Sequence, residues 1–185
     1  MRHHLFLVIS AICFATFVGG QTPQPAVGYA AGNQILWDSF GVPHIYAENT
    51  TQMYYEFGWA QMHNHANLIL QLYGQARGRA SEYWGEKYLA SDKQVQLFRV
   101  PSIAAKEYGE QDPGFRGFLD AFIEGMNAYA RAHPDAIREE NRPVLPVRAE
   151  DVIAHGIRVV FLRFVAGEKL GMARGPENPA PMPLR

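Results

Sequence analysis

The stretch WDSFGVPHIYAENTTQMYYEFGWAQMHNHANLILQLYGQARGRASEYWG, Trp37–Gly85, decides the fold. It joins a short extended segment to a long helix and closes on Arg77-Gly78-Arg79. Ile35-Leu36-Trp37-Asp38 and Pro43-His44-Ile45-Tyr46-Ala47 predict two short strands. Ser39-Phe40-Gly41 forms the turn between them, with Gly41 free to take a positive φ. Pro43 holds Val42 extended and is tolerated at a strand start. Asn49, Thr50 or Thr51 caps the helix that follows. Met53, Phe57, Ala60, Asn64, Leu68 and Leu72 keep helical spacing, and Tyr54, Gln61, His65 and Ile69 form a neighbouring stripe. This helix is predicted to reach about Tyr73 and end at Gly74, and a second covers Gln75 to Trp84, broken at Gly78.

Downstream, Ser91 to about Glu107 predicts a helix that Pro101 kinks or divides. Asp112-Pro113 is a helix start, cap followed by proline at the first position. Phe118, Phe122, Met126 and Tyr129 then make an apolar stripe that ends at His133-Pro134. Residues 139–147 contain Pro143 and Pro146 and predict a connecting loop. A last helix begins near Ala149, where Glu150 and Asp151 suit the positive end of its dipole. Ile153, Ile157, Val160 and Phe164 line one of its faces.

Both chain ends have a different character. Arg2, His3 and His4 precede an apolar run from Leu5 to Val18, followed by Gly19 and Gly20. This is the pattern of a secretory signal over residues 1–20, cut after Gly20. A membrane anchor would need ~20 apolar residues, more than this run supplies. Cys13, the one cysteine, falls inside the signal, so the mature chain carries no disulfide or thiol chemistry. A periplasmic or secreted location follows. Residues 21–170 form the folded part, with 21–33 as an N-terminal arm. Residues 171–185, containing RGPENPAPMPLR, form a proline-rich linker.

The 185-residue length suits one domain with a sizeable core. A net charge of −1 with no long basic run argues against nucleic acid as a partner. His63 and His65 lie two apart and so point to different helical faces, unlike a zinc pair three or four apart. Arg77 and Arg79 either bind an anion or, as the helix break favours, bond exposed carbonyls and fork onto Glu82 and Glu86. No G-x-S-x-G elbow surrounds Ser39, Ser81, Ser91 or Ser102, and no glycine-rich phosphate loop is present. By motif, the chain carries no complete catalytic site.

Asp38 with Gly41-Val42-Pro43-His44-Ile45-Tyr46-Ala47, then Gly58-Trp59-Ala60-Gln61, then Gly78-Arg79-Ala80-Ser81-Glu82 with Gly85, resembles the α-chain portion of the penicillin acylase family of N-terminal-nucleophile hydrolases. The resemblance spans about residues 33–170. His63-Asn64-His65 and the LILQLYGQARGRASEYWG that follows are similar to the branch that includes acyl-homoserine lactone acylases.

The resemblance implies an α+β fold, mostly α in this piece, belonging to an αββα sandwich. It implies a precursor that cuts itself to free a serine at the start of a β chain. That serine's α-amine, with a pKa of roughly 7.7–8, would serve as its own base. Oxyanion donors would lie on the same β chain. The α part would shape the acyl pocket, with catalytic residues elsewhere. Val160, Arg163 and Phe164 match substrate-pocket positions of the family, Val160 and Phe164 touching an apolar acyl group and Arg163 gating the entrance. On spacing alone, Val160 and Phe164 read as plain core in preference to pocket and Arg163 as a helix-end cap; the resemblance brings the two readings level. Glu168 matches a carboxylate that helps hold a structural calcium, which needs six or more oxygens. No organic cofactor is implied. The expected partners are a β chain and a small N-acylated substrate, with no membrane contact once the signal is removed. The competing expectations are an inactive truncated product and a non-catalytic periplasmic protein that binds acyl ligands.

Overall fold

The computed structural model describes residues 32–160. Strands β1 (Gln34–Trp37) and β2 (Pro43–Tyr46) form an antiparallel hairpin in which Ile35 pairs with Ile45 and Trp37 with Pro43. Among the described residues six α-helices follow: α1 (Thr50–Ala76), α2 (Ala80–Trp84), α3 (Leu89–Leu97), α4 (Val100–Glu110), α5 (Pro113–Ala132) and α6 (Ala149–Ile157). The described part is therefore mostly helical with one small sheet, as the sequence predicts.

The hairpin turn is organised by Asp38. Its Oδ1 accepts the N–H groups of Phe40 (2.8 Å) and Val42 (2.9 Å), and Gly41 takes φ +77°. These two bonds hold the Asp38 carboxyl below the usual carboxylate range. Asn49 caps α1 by accepting from the Gln52 N–H at 2.9 Å. Asp112 caps α5 by accepting from Gly114 at 2.8 Å, with Pro113 in the first turn.

Two boundaries differ from expectation. Helix α1 continues through Gly74, which is buried beneath the Trp84 ring, and ends at Ala76. The helix expected over Ser91–Glu107 is divided, one of the two expected outcomes, but the break falls at Phe98–Arg99, ahead of Pro101. Phe98 leaves the helical register, Arg99 adopts φ +54°, and α4 restarts with Pro101 in its first turn. Proline marks the division, but the residue in the left-handed region makes it.

Helices α1 and α5 run in the same direction and supply most of the core. Tyr54 stacks on Phe118 (5.2 Å), Phe57 meets Phe122 (5.4 Å) and Trp59 meets Tyr129 edge-on (5.0 Å). Met62, Leu70, Met126, Ile137, Val144 and Val147 are fully or almost fully buried within this layer. Helix α6 packs antiparallel on the end of α1. It closes a second, smaller core of Ala76, Val95, Val100, Ala104 and Ala154.

The segment between α5 and α6 is a tethered loop with 3-10 turns at Pro134–Ala136 and Glu139–Val144. Asn127 of α5 donates to the Val147 carbonyl and accepts from its N–H, both at 2.9 Å. Asn67 of α1 accepts from the Arg138 N–H (2.9 Å) and donates to the Ala136 carbonyl (3.0 Å). Side-chain amides thus replace the ladder bonds that this backbone lacks.

Candidate functional site

The Arg77-Gly78-Arg79 junction is structural. Gly78 turns the chain at φ +64°, and the Gln96 amide donates to the carbonyls of Arg77 (3.3 Å) and Gly78 (3.2 Å). Arg77 is buried and forks onto Asp151 of α6, Nε to Oδ1 at 2.7 Å and Nη2 to Oδ2 at 2.6 Å. Its Nη2 also donates to the Pro146 carbonyl at 3.1 Å. Burial pulls the guanidinium pKa down, but the Asp151 bonds more than offset it and the group stays charged. Asp151 accepts a further bond from the Arg148 N–H at 2.8 Å, so the pair is well satisfied. Arg79 forks onto Glu82, as expected, through Nε at 2.7 Å. The partner expected for Arg77 was Glu82 or Glu86; the observed partner lies 74 residues away. Buried Asp92 accepts the N–H groups of Ala80 (2.9 Å) and Ser81 (2.6 Å), fixing the start of α2. Arg77 is thus buried and fully engaged, whereas Arg79 is half-exposed and paired with Glu82.

The histidine pair separates as its spacing requires. His63 lies in an aromatic cluster, 4.5 Å from Trp37 and stacked 5.6 Å from Trp59, with Tyr129 at 5.9 Å. Its Nδ1 lies 2.9 Å from the Asn64 Oδ1, which also accepts from the Trp37 indole at 3.3 Å. This cluster fastens the hairpin onto α1. His65 interrupts α1 with φ −139° and faces elsewhere. Among the described residues, no group of three His, Cys, Asp or Glu could hold a metal ion.

His65 instead lines a cleft of about 280 Å³ between α1, α5 and α6, with Gln61, Leu68, Ile69, Leu72, Tyr73, Phe122 and His155. No lining residue carries a fixed charge. Burial, aided by nearby Arg158, pushes the His155 imidazole pKa down. Its buried Nδ1 has no hydrogen-bond partner. Burial and the Asp151 charge push the Tyr73 phenol well up, so it stays neutral. Sequence reasoning placed Gln61, His65 and Ile69 on one helical stripe but did not see the cleft. Its other wall comes from Phe122 and His155, distant in sequence.

The expected pocket residues begin where the described chain ends. Past Ile157 the helix winds as a π turn over 158–160. A π turn inserts a residue into the helical repeat and shifts the face that follows. Ile153 and Ile157 pack against the cores, whereas Val160 is 59% exposed. Val160 is therefore not a continuation of the core stripe in the described structure. Arg163, Phe164 and Glu168 lie outside the described residues, as do the segments expected to be a signal and a linker.

A hairpin leading into this helical layer is the fold of a penicillin G acylase chain. The thermostable enzyme from Alcaligenes faecalis matches it with a TM-score of 0.63 at 21% identity, over 76% of this chain and 80% of that one. The penicillin amidase family model matches residues 33–165, and the chain belongs to that family. It is 20% identical over 129 residues to penicillin G acylase from Escherichia coli, covering 70% of this chain and 15% of that protein. It is 27% identical over 128 residues to the acyl-homoserine lactone acylase PvdQ of Pseudomonas savastanoi pv. phaseolicola, covering 65% and 16%. Against the acyl-homoserine lactone acylase QuiP of Pseudomonas fluorescens, identity is 23% over 114 residues, covering 62% and 14%. The chain thus spans about one sixth of the length of the curated relatives it matches.

Proposed function

We propose that this chain is the α part of an exported two-part amide hydrolase that cleaves the N-acyl bond of an acyl-homoserine lactone or a β-lactam side chain. The observation that carries the reading is the family match over residues 33–165 on a segment without a recognisable nucleophile motif. Ser39 lies in the hairpin turn, and Ser81, Ser91 and Ser102 lie in helices α2, α3 and α4. A contrast in coverage adds support. The solved acylase chain is covered over 80% of its length, but the curated enzymes over only 14–16% of theirs. A short chain beside a much larger remainder accounts for both values.

In this reading the nucleophile is the first residue of the β chain, and its own α-amine takes the hydroxyl proton. Val160, Arg163 and Phe164 form the α-side wall of the acyl pocket, and exposed Val160 awaits that ligand or the β chain. Glu168 contributes one oxygen to a structural calcium whose other ligands come from the β chain.

The test is intact-mass analysis and N-terminal sequencing of the protein from its exporting cell, followed by amide hydrolysis assays. The expected result is a co-purifying chain that begins with serine, and turnover of an N-acyl lactone or an acylated β-lactam. The absence of a serine-started partner would overturn the reading.

A further inference from the structure

Helix α6 changes pitch where its side chains stop being core. The Arg158 N–H still bonds the Ala154 carbonyl, as in a regular helix, and the π turn begins at that residue and runs to Val160. Val160 lies seven residues after Ile153 and three after Ile157. At about 3.6 residues per turn, a regular helix would put Val160 on the face those two share. Both of them pack on the cores, whereas Val160 is 59% exposed. π geometry is rare within helices and gathers at functional sites.

One contact holds this turn at its first residue. The Arg158 guanidinium donates through Nη2 to the Gln75 Oε1 at 2.6 Å. Gln75 sits in the last turn of α1, two residues before Arg77, and Arg77 is itself forked onto Asp151 at the start of α6. The acceptor is therefore fixed by the same joint that docks the helix. Stability alone does not account for this arginine. Among the described residues no carboxylate forms an ion pair with it. Burial pulls its pKa down, and the Asp92 charge offsets this only in part. A neutral amide acceptor leaves the charge uncompensated but gives the side chain one direction, which is a geometric role.

We propose that Arg158 is a positioning residue for acyl-chain length: its bond to Gln75 holds the π turn, and the π turn presents the Val160 side chain outward as a wall against the acyl group. This rests on the reading of Val160 as a pocket residue given above. With the bond intact the wall stands forward and shorter acyl chains are favoured. With the bond gone the helix returns to its regular pitch, Val160 swings back into line with Ile153 and Ile157, and the pocket deepens. A change of that size is worth roughly tenfold in discrimination, the scale of one or two methylenes in an apolar pocket.

The experiment uses the complete precursor, processed in its exporting host, and a series of fatty-acyl para-nitroanilides from butanoyl to dodecanoyl. The series varies the acyl group and keeps one leaving amine. Arg158→Met and Gln75→Leu each remove the bond. Each should raise the ratio of kcat/KM for the dodecanoyl over the butanoyl substrate about tenfold. The double variant should go no further, because a single bond has been lost. Gln75→Glu keeps an acceptor for Arg158 and should keep the original ratio. Loss of folded protein alone would lower every chain length together and leave the ratio unmoved. A second readout follows the side chain itself: Val160→Cys, labelled with iodoacetamide and located by peptide mass, should react at least tenfold more slowly once Arg158→Met is added. Hydrolysis with an unchanged ratio in both single variants overturns this inference and leaves the proposed function standing. Labelling at position 160 that is the same with and without Arg158 overturns it as well. A parent enzyme that turns over no member of the series sinks the hydrolase reading and this inference together.

Discussion

Gly58 and Gly125 are reciprocal contacts at the crossing of α1 and α5. A Cβ on Gly58 would stand 1.9 Å from the Phe122 carbonyl oxygen, and one on Gly125 would stand 1.9 Å from the Tyr55 carbonyl oxygen. Each helix presses its glycine onto the backbone of the other, one turn from the partner glycine. No rotamer change can relieve a clash with a carbonyl, so any side chain here must push the helices apart. Gly58→Ala and Gly125→Ala should each destabilise by about 2–3 kcal/mol, at the upper end of ordinary overpacking. Chemical denaturation measures this. The double variant should cost less than the sum, because one separation of the helices accommodates both methyl groups.

The Arg77–Asp151 pair predicts asymmetric behaviour. Asp151→Asn or Arg77→Met alone strands a buried partner and should cost about 3–5 kcal/mol. Replacing both with apolar residues of similar volume, Arg77→Met with Asp151→Leu, should recover most of that loss. Denaturation midpoints of the two single variants and the double variant decide it. Equal losses in all three would mean that packing, not charge, holds α6.

Asn127→Ala should cost about 1–3 kcal/mol for each backbone group it leaves unsatisfied at Val147. Hydrogen exchange would report the effect locally. Protection should fall at the Val147 N–H and the turns before it, while the middle of α1 keeps its protection.

His155 predicts a pH dependence. Its folded-state pKa is depressed, so the unfolded chain binds the proton first. Stability is fully present above the unfolded value of about 6.5 and is lost as pH falls through the folded value. Arg158, on the same helix, adds to the depression, and the Tyr73 ring packs 6.0 Å away on the α1 side. A melting temperature measured between pH 8 and pH 5 should be flat and then fall below roughly pH 6.5. His155→Leu should flatten that acid limb. A limb that persists in the variant would assign it to other groups.

Local chemistry made much of this fold readable. Ser39-Phe40-Gly41 declares the hairpin turn, Asn49-Thr50-Thr51 and Asp112-Pro113 declare two helix starts, and the Phe118, Phe122, Met126 and Tyr129 stripe declares the face of α5. Each signal acts within a few residues of its effect. What escaped reading acts over distance or through geometry that spacing does not encode. Arg77 was legible as a structural residue, but its partner was not, because Glu82 lies near in sequence and Asp151 lies near only once α6 is docked. The break between α3 and α4 depends on Arg99 in the left-handed region, which no residue type announces; proline was the visible marker. The stretch before α6 looked like a plain loop because its order comes from Asn67 and Asn127, side chains of other elements. At the candidate site, Val160 fitted a four-residue stripe, and the π turn shifted it out of that stripe.

Helix α6 is held at both ends by the last turn of α1 and the residue after it: Asp151 to Arg77 at its start, and Arg158 to the Gln75 amide at 2.6 Å near its finish. The position of Val160 in space is therefore inherited from residues 75–77, some eighty positions earlier in the chain. Changes at Gln75 would act as a remote adjustment of whatever the end of α6 touches. A substitution there would shift the far end of α6 without altering any residue at that end.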